Sequence, residues 1–189
     1  MSLQTTASQT IGPFLHIGLD WLVTANLAGP GVTGERIAVE GRIVDGDGKP
    51  VADALIEIWQ ANAHGRYAHP DDTQDKPLEP GFNGFGRVAT DDDGSFRFTT
   101  IKPGRVPAPN GGLQAPHLNV TIFMRGMLKQ LLARLYFPGD PANVEDPVLQ
   151  SVPPARRETL VASPVAGRTN TIRWNVVLQG PGETVFFEC

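Results

Sequence analysis

Between Ile37 and Ile101 one pattern occurs twice: alternating apolar and polar residues, a turn built from Asp and Gly, then alternation again. In IAVEGRIVDGDGKPVADALIEIWQ the turn is Asp45-Gly46-Asp47-Gly48, and in GRVATDDDGSFRFTTI it is centred on Asp93-Gly94. Period-two alternation sends successive side chains to opposite faces, so each flank reads as a half-buried strand joined to the next by a Gly-rich turn. Two such units, with no βαβ pattern beside them, predict an all-β chain with an antiparallel β-sandwich core rather than a parallel α/β sheet. Gly 21 and Pro 17 in 189 residues agree, since they imply many turns and few long helices. A chain of this length is expected to form one domain.

Around these units the chain divides into an irregular N-terminal leader, residues 1–35, expected to pack on a partner chain, and a sandwich domain, residues 36–189. The segment from Ala61 to Phe85 is rich in Asn, His, Asp, Pro and Gly and is longer than a passive connection, which marks it as a functional loop. A third strand pattern, HLNVTIFM, starts at His117 and puts His117, Asn119, Thr121 and Phe123 on one face, with Leu118, Val120 and Ile122 on the other. MLKQLLARLYF suits a helix by its Leu spacing and a strand by RLYF, so its type stays open. TNTIRWNVVLQ and TVFFE are two further strand candidates.

Formal net charge is −4, and the basic residues are scattered, which disfavours a nucleic-acid partner. The acidic run from Asp71 to Asp93 reads as a solvated loop surface. Cys189, the single cysteine, cannot form an intrachain disulfide. The N-terminus lacks the flanks of a signal peptide, and no window approaches a membrane span, so a cytoplasmic location without membrane association is expected.

Four histidines (16, 64, 69 and 117) and two tyrosines (67 and 136) are the inventory for metal chemistry. His64, Tyr67 and His69 share the long loop, where imidazole and phenol oxygen could ligate a transition metal, although loop His and Tyr are commonly plain turn residues.

LIEIWQANAHGRYAHPDD, GFNGFGRVATDDDGSFRFTTIKPG, APHLNV and RLYFPGD, in that order, together with SQTIGPF and GPGETVFFE at the ends, resemble the intradiol ring-cleaving dioxygenases over roughly residues 8–188. The resemblance implies ferric iron held by two tyrosines and two histidines, the latter spaced H-x-H on a strand. Tyr67 and His117 match one tyrosine and one histidine, while Val106 and Asn119 stand where the other two ligands belong. Gln114 replaces an arginine that in catalytic chains stabilises developing negative charge. Such ligand sets act as a unit, so this chain is expected to hold no metal and to contribute no catalytic residue of its own. The resemblance then implies an alpha-type subunit beside a catalytic beta chain that binds Fe(III), with protocatechuate, a small aromatic acid, as the substrate.

On the same resemblance, Thr10, Gly12 and Pro13 of the leader border the partner's substrate pocket, and Arg134 is a substrate-binding arginine whose guanidinium suits a carboxylate. From the residues alone, the first three also read as an ordinary turn and Arg134 as a surface ion-pair residue. Two alternatives stay open: a stand-alone β-sandwich module binding a small molecule or protein through the 62–85 loop, and a metal site rebuilt from His64, His69 and His117.

Overall fold

The computed structural model describes residues 5–10, 12, 17–109 and 111–188. Its strands are β1 (Arg36–Val44), β2 (Leu55–Trp59), β3 (Phe85–Ala89), β4 (Ser95–Ile101), β5 (His117–Phe123), β6 (Leu131–Tyr136), β7 (Ser163–Pro164), β8 (Thr171–Arg173) and β9 (Val176–Val177). They form two sheets, one ordered β4-β1-β8-β7 with β9 also on β1, the other ordered β3-β2-β5-β6. Pairing is antiparallel except for β1 with β8 and β1 with β9, which are parallel. The fold is the β-sandwich that the alternation predicts.

The two Asp-Gly units differ from simple hairpins. Asp45 does close a tight turn, its N–H donating to Lys49 O at 2.9 Å and its Oδ1 accepting from Asp47 N and Lys49 N. Only Pro50 and Val51 pair back onto β1, after which the chain crosses to the other sheet as β2. The second unit crosses in the opposite direction, from β3 to β4. Alternation reports which face of a strand is buried, not which strand lies beside it. Stacking the two apolar faces buries Val39, Ile43, Phe96 and Phe98 from one sheet against Ile56, Ile58, Leu118, Val120 and Leu135 from the other. Each such side chain contributes roughly 1.5–3 kcal/mol on burial.

MLKQLLARLYF resolves as the strand β6, because Ala133 and Leu135 point into the core and Arg134 does not. TVFFE is not a strand: it makes one isolated bridge, Phe187 N donating to Leu132 O at 2.8 Å. Residues 24–32 of the leader belong to this chain's own fold. Thr24 bridges Arg87, Leu27 N donates to Thr99 O, and Leu27, Ala28 and Val32 are buried in the core. Upstream of them Ile17 and Trp21 are exposed. Among the described residues no helix is long and apolar enough to cross a membrane.

Candidate functional site

Strand register on the outer face of the second sheet sets side chains abreast: Trp59 of β2 pairs with Asn119 of β5, and Asn119 with Arg134 of β6. One step along, His117 lies beside Tyr136. Two loops cover this row.

The first runs from Ala61 to Gly84, and Asn62 organises its start. Asn62 Oδ1 accepts from His64 N (2.9 Å) and Arg66 N (3.1 Å), and its Nδ2 donates to Pro77 O (2.9 Å). Gly65 has φ +77°, and a Cβ there would fall 2.0 Å from Arg105 O, so only glycine lets the Gly65-Arg66-Tyr67 segment lie against the second loop. Asp72 Oδ2 then accepts from Tyr67 N, and the Tyr67 ring stacks on Trp59 with centroids 5.6 Å apart. The edge of His69 meets the same indole at 6.5 Å.

The second loop brings in Val106 and Gln114, both buried. Gln114 N donates to Val106 O, Gln114 Nε2 donates to Pro107 O at 2.8 Å, and Gln114 Oε1 accepts from Arg134 Nη1 at 2.6 Å. Its end is clamped by Asp146, a fully buried carboxylate. Oδ2 accepts from Ala115 N (2.7 Å). Oδ1 accepts from the Tyr136 hydroxyl (3.0 Å) and from Val148 N and Leu149 N, capping the short helix Pro147–Ser151. Sequence reasoning missed Asp146, although Asp before Pro at a helix start was a readable cap signal. It also missed Trp59, whose role depends on register alone.

Electrostatics in this row follow burial. His117 Nδ1 shares a hydrogen bond with Ala115 O at 2.8 Å, and desolvation, helped by the Arg134 charge, lowers its pKa to about 4. It is therefore neutral near pH 7. Burial raises the Tyr67 phenol above its ordinary value, so it too is neutral. Asn119 Nδ2 donates to the Tyr67 hydroxyl oxygen at 3.1 Å. Trp59, Tyr67, His69, Gln74, Val106 and Gln114 wall an open cavity of about 660 Å³.

These residues do not fit ferric iron. Val106 offers hydrocarbon, Asn119 directs an N–H at the phenol oxygen that iron would need, and neither replaces a phenolate or an imidazole. His64, His69 and His117 do not converge either: His64 is exposed on the loop, His69 lies against Trp59, and His117 is buried beside Tyr136. Among the described residues no three His, Cys, Asp or Glu side chains are grouped to hold a metal ion.

The four residues marked for substrate also divide. Arg134 stands in the row just described. Thr10 lies at the far end of β5, its Oγ1 donating to Met124 O (3.3 Å) and accepting from Gly126 N (3.0 Å). Five residues of strand separate Met124 from Asn119, roughly 17 Å. Gly12 has φ +62° with open space where a Cβ would be, and Pro13 lies outside the described residues.

Comparison with known proteins places this geometry. Residues 22–180 match the family described as Dioxygenase. The protocatechuate 3,4-dioxygenase alpha chain of Burkholderia cepacia is 42% identical over 99% of this chain and 98% of its own length. The beta chain of protocatechuate 3,4-dioxygenase from the same organism is 41% identical over 80% of this chain and 67% of its own. Among solved structures, a dioxygenase domain from Streptomyces sp. SirexAA-E superposes with a TM-score of 0.63 at 27% identity, covering 86% of this chain and 89% of that one.

Proposed function

This chain belongs to the intradiol ring-cleaving dioxygenases, and from that premise we propose that it is the non-catalytic subunit of a mixed-chain enzyme acting on protocatechuate. The observation that carries the reading is the Asn119–Tyr67 hydrogen bond beside Val106, which uses for packing what a catalytic chain uses to hold iron. The existence of relatives named alpha and beta chains supports a second, homologous chain as the partner, and that partner holds the Fe(III). The assembled enzyme is cytoplasmic and opens 3,4-dihydroxybenzoate with O2 between its two hydroxyl-bearing carbons, giving 3-carboxy-cis,cis-muconate.

In this reading the leader is the chain's contribution to catalysis. Thr10 is fastened to the Met124–Gly126 turn, away from this chain's own cleft, and among the described residues nothing lies within 4 Å of where a Cβ on Gly12 would be, which supports a role for Thr10 and Gly12, together with Pro13, in completing the partner's substrate pocket. Arg134 of β6, which pairs with Asn119 of β5, is the substrate-binding arginine of this reading, its guanidinium suited to the carboxylate of protocatechuate.

Expression of the chain with and without a homologous chain that retains both tyrosines and the H-x-H pair, followed by a ring-cleavage assay on protocatechuate, tests the proposal. Cleavage only from the co-expressed pair is the expected result. Turnover by this chain alone, or a partner chain that is equally active and never co-purifies with it, would overturn it.

A further inference from the structure

Gln114 sits at a junction of four hydrogen bonds, which fix both its backbone and its side chain. Gln114 N donates to Val106 O at 2.8 Å, its O accepts from Arg105 Nε at 3.3 Å, and the next N–H along, that of Ala115, donates to Asp146 Oδ2 at 2.7 Å. The amide has one orientation, because Nε2 donates to Pro107 O at 2.8 Å and so turns the oxygen the other way. That oxygen accepts from Arg134 Nη1 at 2.6 Å. Gln114 is therefore a rigid acceptor for the guanidinium.

The strand supplies a second support. Tyr136 lies two residues beyond Arg134 on the same face of β6, and its fully buried ring packs beside that of His117 with centroids 5.9 Å apart. The Tyr136 hydroxyl lies beside the Arg134 guanidinium and donates to Asp146 Oδ1 at 3.0 Å. Asp146 thus reaches Arg134 by two routes, one through Ala115 and Gln114 and one through Tyr136. By neither does it neutralise the charge: among the described residues Arg134 forms no ion pair.

A carboxylate in direct contact would hold the guanidinium more tightly, since a charge-assisted bond is about twice as strong as a neutral one. It would also cancel the charge, and an incoming acid would have to break the pair first. A neutral amide oxygen orients the group without cancelling it and takes only one of its five N–H donors. The buried carboxylate one bond further back keeps both supports in place.

We propose that Gln114 and Asp146 are positioning residues: they hold Arg134 in one orientation while leaving its charge for the carboxylate of the substrate, and so set the preference of the enzyme for aromatic acids over uncharged phenols. The inference rests on the reading of Arg134 as substrate-binding and adds to it the groups that aim it.

The test uses the chain co-expressed with the homologous chain that retains both tyrosines and the H-x-H pair. KM and kcat are measured for protocatechuate, with inhibition constants for 4-hydroxybenzoate and for phenol, which has the ring without the acid. Gln114→Met keeps the bulk and loses the acceptor, so the KM and the 4-hydroxybenzoate constant should rise roughly 3–10-fold while kcat and the phenol constant stay close to their original values. Gln114→Glu keeps an acceptor but pairs with Arg134 directly, and the same two constants should rise at least as far. Tyr136→Phe keeps the buried ring and cuts the link to Asp146, with a smaller rise in the same two constants. Equal losses for 4-hydroxybenzoate and phenol, or unchanged constants in Gln114→Glu, would overturn the role of Gln114, and unchanged constants in Tyr136→Phe would overturn that of Asp146. Arg134→Ala separates the two levels of the argument. If it raises the KM while the Gln114 and Tyr136 variants do not, this inference alone falls, whereas an unchanged KM in Arg134→Ala would overturn the reading of Arg134 on which it stands.

Discussion

Asn119 donates its Nδ2–H to the Tyr67 hydroxyl oxygen across 3.1 Å, joining β5 to the long loop. The bond is one of several that tie the residues around Tyr67 to one another. Gln114 is tied to both Pro107 and Arg134, and Val106 is packed with only 4% of its surface exposed. The double variant Val106→Tyr with Asn119→His is accordingly expected to remain inactive in ring cleavage, because the shell around the restored ligands stays wrong. Steady-state assay of that variant with added ferric iron checks this, and activity comparable to a catalytic chain would contradict it.

A pH dependence of stability follows from His117. Unfolded, its imidazole titrates near 6.5, and in the fold burial holds it down to about 4. Between those values the unfolded chain binds more protons than the folded one, so the stabilisation is complete above pH 6.5 and is lost as pH falls towards 4. The loss attributable to this side chain is on the order of 3 kcal/mol. Urea midpoints measured from pH 7 to pH 4 should fall, and His117→Gln should flatten the curve. Parallel curves for the two proteins would count against the assignment.

Asp146 is expected to be the most sensitive polar position of the site for stability. Asp146→Ala would leave the Ala115, Val148 and Leu149 N–H groups and the Tyr136 hydroxyl without their shared acceptor. Removing a buried carboxylate with several donors costs about 3–5 kcal/mol. Asp146→Asn, which keeps a capping oxygen, should lose less. Equilibrium unfolding distinguishes them, and a change under about 1 kcal/mol for the alanine variant would show that water replaces the acceptor.

Part of the leader folds with its own chain, and the proposed function assigns the part before it to the partner. Leu27 N is bonded to Thr99 O and the side chain is buried, so its amide should exchange slowly in isolated and assembled protein alike. Residues 5–10 are exposed, and Thr10 fastens them through its side chain. Their amides should gain protection only on assembly. Hydrogen exchange of both samples reads this directly, and equal protection of residues 5–10 in the two would contradict the docking of the leader.

How much of this was legible in the sequence depends on whether the information is local. Alternation exposed the sandwich and the two faces of β5, because burial imprints a period of two on each strand. It did not reveal that both Asp-Gly turns lead across the sheets, since pairing between Arg36 and Ile101 or between Trp59 and Asn119 leaves no mark on either strand alone. For the same reason Trp59 and Asp146, which position the site through partners distant in sequence, went unread. Tyr67, Val106, Gln114 and Asn119 were found because motifs in fixed order carried them. The separation of Thr10 from Arg134 could not be, because nothing in the spacing of those residues says which end of β5 each meets.

The central claim is that this chain does not hold iron, and metal content is its most direct measure. The chain purified alone after growth in iron-replete medium is predicted to carry far less than one iron per chain and to show no phenolate-to-iron absorption in the visible region. A coloured preparation with one ferric ion per chain would contradict the account.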